Sequence, residues 1–373
     1  MTPRLPNQKQ LRRRTLLSLG ILAAGLILTW APLPGVSQTL VVVAGTELRQ
    51  VLEVLRPRFE QQQPNIRLEL HFQGSQELAN NYLDDTFAGF HPTILIPANQ
   101  EILEKLVQDW RARENTEPFL SKPQPIASTF MVGIAWPERG RVLFPQGRFD
   151  WERVAQALRA RQWAAMGGPA AWGSFDFRMT DPLRSNSGQL TLALWSQQVL
   201  GQPLTPSNVN SPPVIELLRL LKPSVYRPPR STDLLLEEFI SQGPNEGDVA
   251  VVYESIALSR WPQAQVAQGQ GYRIYYFSPT VATVSTAVVV RRRVSPLLAR
   301  AAETFIAFLR APEQQQVFVQ QGFRPVIQLA VEQVPGSPWA QGIPGVQATP
   351  PVQQLPMPQS AVLAELQKQW QRF

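Results

Sequence analysis

The sequence predicts an α/β protein built in two lobes, and three observations carry that expectation. Short apolar runs of the buried-strand type alternate with amphipathic helical stripes along most of the chain. Two of the early strand-to-helix turns read Gly45-Thr46 and Gly74-Ser75, small and polar residues suited to starting a helix. A length of 373 residues with 44% hydrophobic content exceeds one ordinary domain and suffices for two cores.

Residues Thr39 to Val43 form an apolar run, Ala44-Gly45 turns, and Thr46 reads as a cap. Leu48, Val51, Leu52, Leu55 and Phe59 then fall on one helical stripe. Ile66, Leu68, Leu70 and Phe72 alternate with polar residues as a second strand, and Gly74-Ser75 leads into a helix carrying Leu78, Tyr82 and Leu83. Both turns would lie at the carboxyl edge of one parallel sheet, the edge where open α/β sheets bind ligands. Thr93 to Ile96 reads as a third strand, followed by a helix with Ile102, Leu103, Leu106, Val107 and Trp110. Pro118, Pro123 and Pro125 interrupt the pattern, and a long strand from Thr129 to Trp136 marks the crossing into a second lobe.

In that lobe Trp151 to Gln162 is helical and Phe175 to Met179 extended, with further helices over Val214 to Leu221 and Asp233 to Ile240. Asp248 to Tyr253 reads as a buried strand running into Glu254-Ser255, another helix start. Tyr272 to Phe277 and Thr283 to Val290 read as strands returning to the first lobe. A helix capped by Ser295 with Pro296 at its first position runs to Leu309, and Pro312 to Gln320 forms another. The boundaries that follow are 38–128 plus 280–330 for the first lobe and 129–279 for the second. Residues 331–373, rich in Pro and Gln, read as an extended strap whose final helix, with Val362, Leu363, Leu366 and Trp370, docks on the body.

The most informative stretch is Thr180-Asp181-Pro182-Leu183-Arg184-Ser185-Asn186-Ser187-Gly188, followed by Gln189 and the run Leu190 to Trp195. An Asp-Pro turn passes through cap residues into a buried helix. Such a helix start offers unpaired N–H groups and about half a positive charge, enough to hold an oxyanion or carbonyl without a metal. The plain alternative is an ordinary capped helix with nothing bound.

The formal charge of +7 does not indicate a nucleic-acid partner. Five of the 35 basic residues, Arg4, Lys9, Arg12, Arg13 and Arg14, precede residue 38, where no acid occurs, so 30 basic residues face 28 acidic ones in the remainder. Residues 1–37 instead read as a signal peptide or an N-terminal membrane anchor. Arg12-Arg13-Arg14 precede an apolar run from Leu16 to Trp30, and Gly35-Val36-Ser37 suits cleavage before Gln38. The same arginines loosely match a twin-arginine export signal, so the export route stays open. The absence of cysteine excludes disulfides, thiol chemistry and a lipid on an N-terminal Cys.

Catalysis has little to stand on. His71 and His91 are the only histidines, and no Gly-x-Ser-x-Gly elbow, phosphate loop or Cys pair occurs. A hydrolase would have to use Ser185 or Ser187 with Asp181 or Glu254 and no evident base. We therefore expect no enzyme, no cofactor and no metal.

The order of export signal, Gly-Thr turn, Gly-Ser turn, Thr180-Asp181-Pro182-x-x-Ser185-Asn186-Ser187-Gly188, Val251-Val252-Tyr253-Glu254 and Gly322-Phe323-Arg324-Pro325 resembles the extracellular solute-binding proteins of ABC importers. It looks in particular like the type II periplasmic-binding branch often found beside von Willebrand A domain proteins. The resemblance spans about residues 39 to 330. It implies two α/β lobes joined by two crossing strands, closing on a small solute delivered to a membrane ABC permease. The protein would work as a monomer outside the cytoplasm, either in the periplasm or at the outer face of the membrane.

On this reading the first lobe would contribute Gly45, Thr46, Gly74 and Ser75, and the second Ser185, Asn186, Ser187 and Gly188. Arg184 would pair with an anionic ligand or with Asp181, Tyr253 would stack or hydrogen-bond, and Glu254 would accept from the solute or compensate its helix dipole. Trp172 and Phe175 would either wall the cleft or pack in the core, the commoner place for aromatic residues. The expected solute is small, polar and anionic. A membrane-tethered sensor or scaffold using the same cleft without transport is the alternative.

Overall fold

The computed structural model describes residues 37–225 and 227–373. The expected leader therefore lies outside the described residues, apart from Ser37. Strand β1 (Gln38–Gly45) pairs in parallel with β2 (Ile66–Gln73) along its whole length, from Gln38 opposite Ile66 to Gly45 opposite Gln73. On its other side β1 pairs in parallel with β3 (Ile94–Ile96). Helices α1 (Arg49–Gln62) and α2 (Ser75–Asp84) connect these strands, and α3 (Gln100–Glu114) follows β3. The stripe on α1 is buried as its spacing requires, with Phe59 packed edge-on to Phe305 of α10 (Pro296–Arg310) at a ring separation of 4.9 Å. Ser295 caps α10 by accepting from the Leu298 amide at 3.2 Å.

Two strands cross between the lobes. The first half of β4 (Gln124–Ala135) runs antiparallel to β8 (Thr280–Val289), from Gln124 opposite Ala287 to Phe130 opposite Ala282. Its second half lies between β6 (Val249–Tyr253) and β7 (Arg273–Tyr276), with Met131 opposite Tyr253 and Val132 opposite Tyr276. The far end of β8 meets β3 through Val288 and Val289. The resulting strand order is β2-β1-β3-β8-β4-β6, with β5 (Phe177–Arg178) beyond β6.

Two expectations need correction. Tyr272 to Phe277 does not return to the first lobe, because β7 satisfies its backbone against Val132–Ala135 in the second; only β8 returns. The crossing strand also starts at Gln124 rather than Thr129. Pro125 has no N–H for the ladder, and a register shift between Pro125 and Ala127 accommodates it.

The second lobe wraps α4 (Pro137–Leu143), α5 (Trp151–Ala160), α6 (Asn186–Leu200), α7 (Pro212–Ser224), α8 (Thr232–Gln242) and α9 (Glu254–Gln268) around β4, β6 and β7. Every residue of α6 from Asn186 to Ser196 is buried, so these first three turns show no face to solvent and the helix start lies inside the molecule. Helix α11 (Pro312–Gln320) completes the first lobe beside α1.

The segment after residue 330 runs along the second lobe and the crossing strands. Ile274 donates to the Pro344 carbonyl at 2.9 Å, and β9 (Gln354–Leu355) adds in parallel beside Thr280 and Val281. Helix α12 (Ser360–Gln371) then buries Val362, Leu363, Leu366 and Trp370, packing on α6 and α7 and reaching α3 of the other lobe. Among the described residues no helix is long and apolar enough to cross a membrane.

Candidate functional site

The start of α6 is shaped by the Asp-Pro turn before it. The Asp181 carboxylate accepts from the Leu183 amide at 3.0 Å, and its carbonyl accepts from the amides of Arg184 and Ser185 at 3.1 and 2.8 Å. These bonds leave Ser185 extended at the cap position, with its side chain turned away from the helix amides. The N–H groups of Asn186, Ser187 and Gly188 consequently have no acceptor among the described residues, although all three residues are buried. Gly188 permits this geometry, since a Cβ there would overlap the Thr180 carbonyl oxygen.

The hydroxyls beneath these amides satisfy one another. Ser187 Oγ lies 2.8 Å from Thr180 Oγ1, 3.1 Å from Ser185 Oγ and 2.6 Å from Thr232 Oγ1. Each is a hydroxyl, so neither serine has an imidazole or carboxylate among its partners to act as a base.

The first lobe closes directly on this helix start. A Cβ on Gly74 would overlap the Arg184 carbonyl oxygen and come within 3.2 Å of that of Arg230. Ser75 is nearly fully buried, and its Oγ accepts from the Ala98 amide at 3.0 Å, tying α2 to the turn that precedes α3. Asn99 caps α3 by accepting from Ile102, while its amide donates across the gap to Asn186 Oδ1 at 2.7 Å. Asn186 in turn donates to the Tyr253 hydroxyl at 2.8 Å. Gln76 donates to Gln189 at 2.8 Å, and Arg184 pairs with Glu77 at 3.1 Å rather than with Asp181. Side chains of both lobes thus join around one seam.

Thr46 lies on the same seam. It begins a single 3-10 turn, Thr46–Leu48, that packs against α8, the helix bearing Thr232. The structure makes Gly45 the residue before this turn, and the α-helix proper starts at Arg49. The turn also carries Glu47, whose carboxyl group folds back over Gly45, where no Cβ obstructs it. Its Oε1 is buried with no hydrogen-bond partner. Burial pushes the Glu47 carboxyl up to about 7, its own backbone N–H works the other way, and the negative Asp233 adds a smaller upward push. Tyr253 is raised well above the ordinary phenol range, first by burial and then by Glu47, with the Asn186 hydrogen bond opposing.

Gly45, Thr46, Gly74, Ser75, Arg184, Ser185, Asn186, Ser187, Gly188 and Tyr253 are therefore brought to one inter-lobe region. Glu254 begins α9 beside Tyr253, but its carboxylate is turned to the crossing strands. Arg324 approaches both of its oxygens at 2.8 Å and the Tyr276 hydroxyl donates at 2.6 Å, so it is fully engaged. Trp172 and Phe175 do not wall the cleft. Both pack on Trp163, with the Arg139 guanidinium 3.7 Å over the Trp172 ring and paired to Asp248 at 2.7 Å. Asp248 precedes β6 and Tyr253 ends it, which separates the two regions by about 16 Å. Sequence reasoning missed Glu47, Gln76, Asn99 and Gln189, because a first-turn acid or a polar helix residue is commonplace until its distant partner is known.

Residues 40–324 match the model of a family described as bacterial extracellular solute-binding protein. No curated protein matches the chain. Among solved structures, a periplasmic thiamin binding protein is 14% identical with a TM-score of 0.63, covering 92% of this chain and 98% of its own. The sulfate-binding protein SubI from Mycobacterium tuberculosis H37Rv is 19% identical with a TM-score of 0.56, covering 88% and 96%. Iron-bound HitA from Pseudomonas aeruginosa is 15% identical with a TM-score of 0.56, covering 90% and 98%. These likenesses are of fold.

Proposed function

The chain belongs to the bacterial extracellular solute-binding protein family, and on that premise we propose that it captures a small polar solute between its lobes and delivers it to a membrane ABC permease. The observation that carries this reading is the start of α6, where three buried amides without acceptors meet the closing surface of the other lobe. An oxyanion or carboxylate of the solute is the group these amides fit, since they supply directed donors and the positive end of a helix dipole. Asn186, Ser187 and Gly188 would bind through their backbone, with Tyr253 and Thr46 completing the enclosure. Ser185 and Ser75 would position the helix starts through their own hydrogen bonds. Gly45 and Gly74 would supply the close approach, and Arg184 the lobe-closing ion pair with Glu77. Glu254 would act on the crossing strands through Arg324 rather than on the solute.

The lobes would span 38–128 with 280–330 and 129–279, and residues 1–37 would direct export. The protein would act as a monomer, since a cleft of this kind is complete within one chain. Membership of a family of transport proteins, together with serines that lack a base, favours binding over hydrolysis. A thermal-shift screen with oxyanions, carboxylates, amino acids and sugars tests the reading. A true solute at ~100 times its Kd adds about 2.7 kcal/mol of stability. A solute that stabilises the protein equally when Asn186→Ala breaks the contact between lobes would place its site elsewhere.

A further inference from the structure

The inter-lobe region holds an acidic group that an anion-only solute would not use. Glu47 enters from the first lobe on the turn packed against α8. Its Oε1 is a buried acceptor without a donor, an arrangement that costs free energy unless something is bound there. The neighbouring strand end carries the opposite deficiency. Gly45 is the register partner of Gln73, and the Gln73 Nε2 is a buried donor without an acceptor. Among the described residues no cation is paired with Glu47. The acid that faces it, Asp233, is held by Arg260 at 2.9 and 2.6 Å, and Tyr253 is neutral with its hydroxyl accepting from Asn186.

Building on the proposed function, we infer that Glu47 recognises a cationic or N–H-donating group of the solute. The solute is then bipolar, with its oxyanion or carboxylate end on the α6 amides and an ammonium or amidinium end on Glu47. This chemistry resolves both features at once, since a positive helix start from one lobe and a carboxylate from the other fit opposite ends of one molecule. The same carboxylate excludes simple anions, whose charge would meet its own in a buried setting of low dielectric.

Burial raises the Glu47 carboxyl to about 7 in the unliganded protein, so a cationic group must displace its proton at lower pH. Affinity for a bipolar solute therefore rises with pH, by roughly tenfold per unit below about pH 7, and then levels. An anion would show the reverse slope.

The test is calorimetric titration of the full chain at pH 5.5, 7 and 8.5. The bipolar probes are the amino acids and γ-aminobutyrate, and the anion-only probes are sulfate, phosphate and acetate. We expect a bipolar probe to bind at least tenfold more tightly than any anion-only probe, more tightly at pH 8.5 than at 5.5, with Glu47→Gln removing most of that pH slope. Anion-only probes that bind as tightly as the bipolar ones, or a bipolar probe that weakens as pH rises, would overturn the inference and leave the cleft reading standing. If no probe binds, both readings fall. If Glu47→Gln does not fold, the sign of the slope in the unsubstituted protein decides alone.

Discussion

Arg324 grips Glu254 with two parallel hydrogen bonds, Nε to Oε2 and Nη2 to Oε1, each 2.8 Å long. The carboxylate is completely buried, and the guanidinium stacks 4.7 Å over the Phe130 ring of β4. The Gly-Phe-Arg-Pro segment of the first lobe is thereby fastened to the start of α9 in the second. Removing one partner strands the other, so Arg324→Ala should cost about 3–5 kcal/mol of stability. Arg324→Lys should lose a good part of the same energy, because an ammonium cannot reproduce the paired geometry. Urea unfolding measures both, and near-native stability of Arg324→Ala would contradict the account.

Closure can be tested separately from folding at Gly74. Its φ of −60° is open to any residue, so alanine introduces no backbone strain. A Cβ there would nonetheless strike the Arg184 carbonyl of the other lobe. Gly74→Ala should keep its melting temperature within a few degrees, shift small-angle scattering toward a more open shape, and weaken solute binding at least tenfold. An unchanged scattering curve would count against lobe contact at this point.

The hydroxyl of Ser187 is directed to Thr180, Ser185 and Thr232, whereas the ligand-facing candidates are backbone amides. Ser187→Ala should therefore act first on stability, by about 1–3 kcal/mol, through the buried hydroxyls left short of a partner. Solute affinity should change less than in Asn186→Ala, which severs the links to Asn99 and Tyr253. Chemical denaturation set against titration calorimetry separates the two effects.

Unliganded stability should depend on pH through Glu47. Its folded value near 7 lies above the ordinary 4.5, so between these limits the folded protein holds more protons than the unfolded chain. Stability then falls as pH rises from about 5 to 7, and the unfolding midpoint of Glu47→Gln should be flatter over that window. A midpoint rising equally in both proteins would show that Glu47 is not buried as described.

The Asp-Pro turn and the cap residues up to Gly188 were legible because their chemistry is local: Asp181 bonds its own neighbours, and the apolar run after Gly188 requires burial. Ser295-Pro296 and the docking residues of α12 were legible for the same reason. What escaped depends on partners far along the chain. The apolar character of Ile274 and Tyr275 fits a strand in either lobe, and only the ladder with Ile134 and Gly133 decides between them. Asn99 and Asn186 are 87 residues apart and Gln76 and Gln189 are 113, so nothing in their immediate surroundings marks them as touching. The place of Glu254 at a helix start suggests a solute contact or dipole compensation, while its actual counter-ion, Arg324, is 70 residues distant.

The carboxyl-terminal helix has a mechanical meaning. It is riveted to one lobe by Gln367 on the Pro182 carbonyl and by Lys222 on that of Trp370, and Leu363 and Gln367 share a small crevice with Ile102 and Lys105 of the other. Any swing apart must peel it from that second footing, like a doorstop dragged off its threshold. The resting angle of the molecule is thus written partly in its last dozen residues, and a body of the same design without that tail would gape more readily.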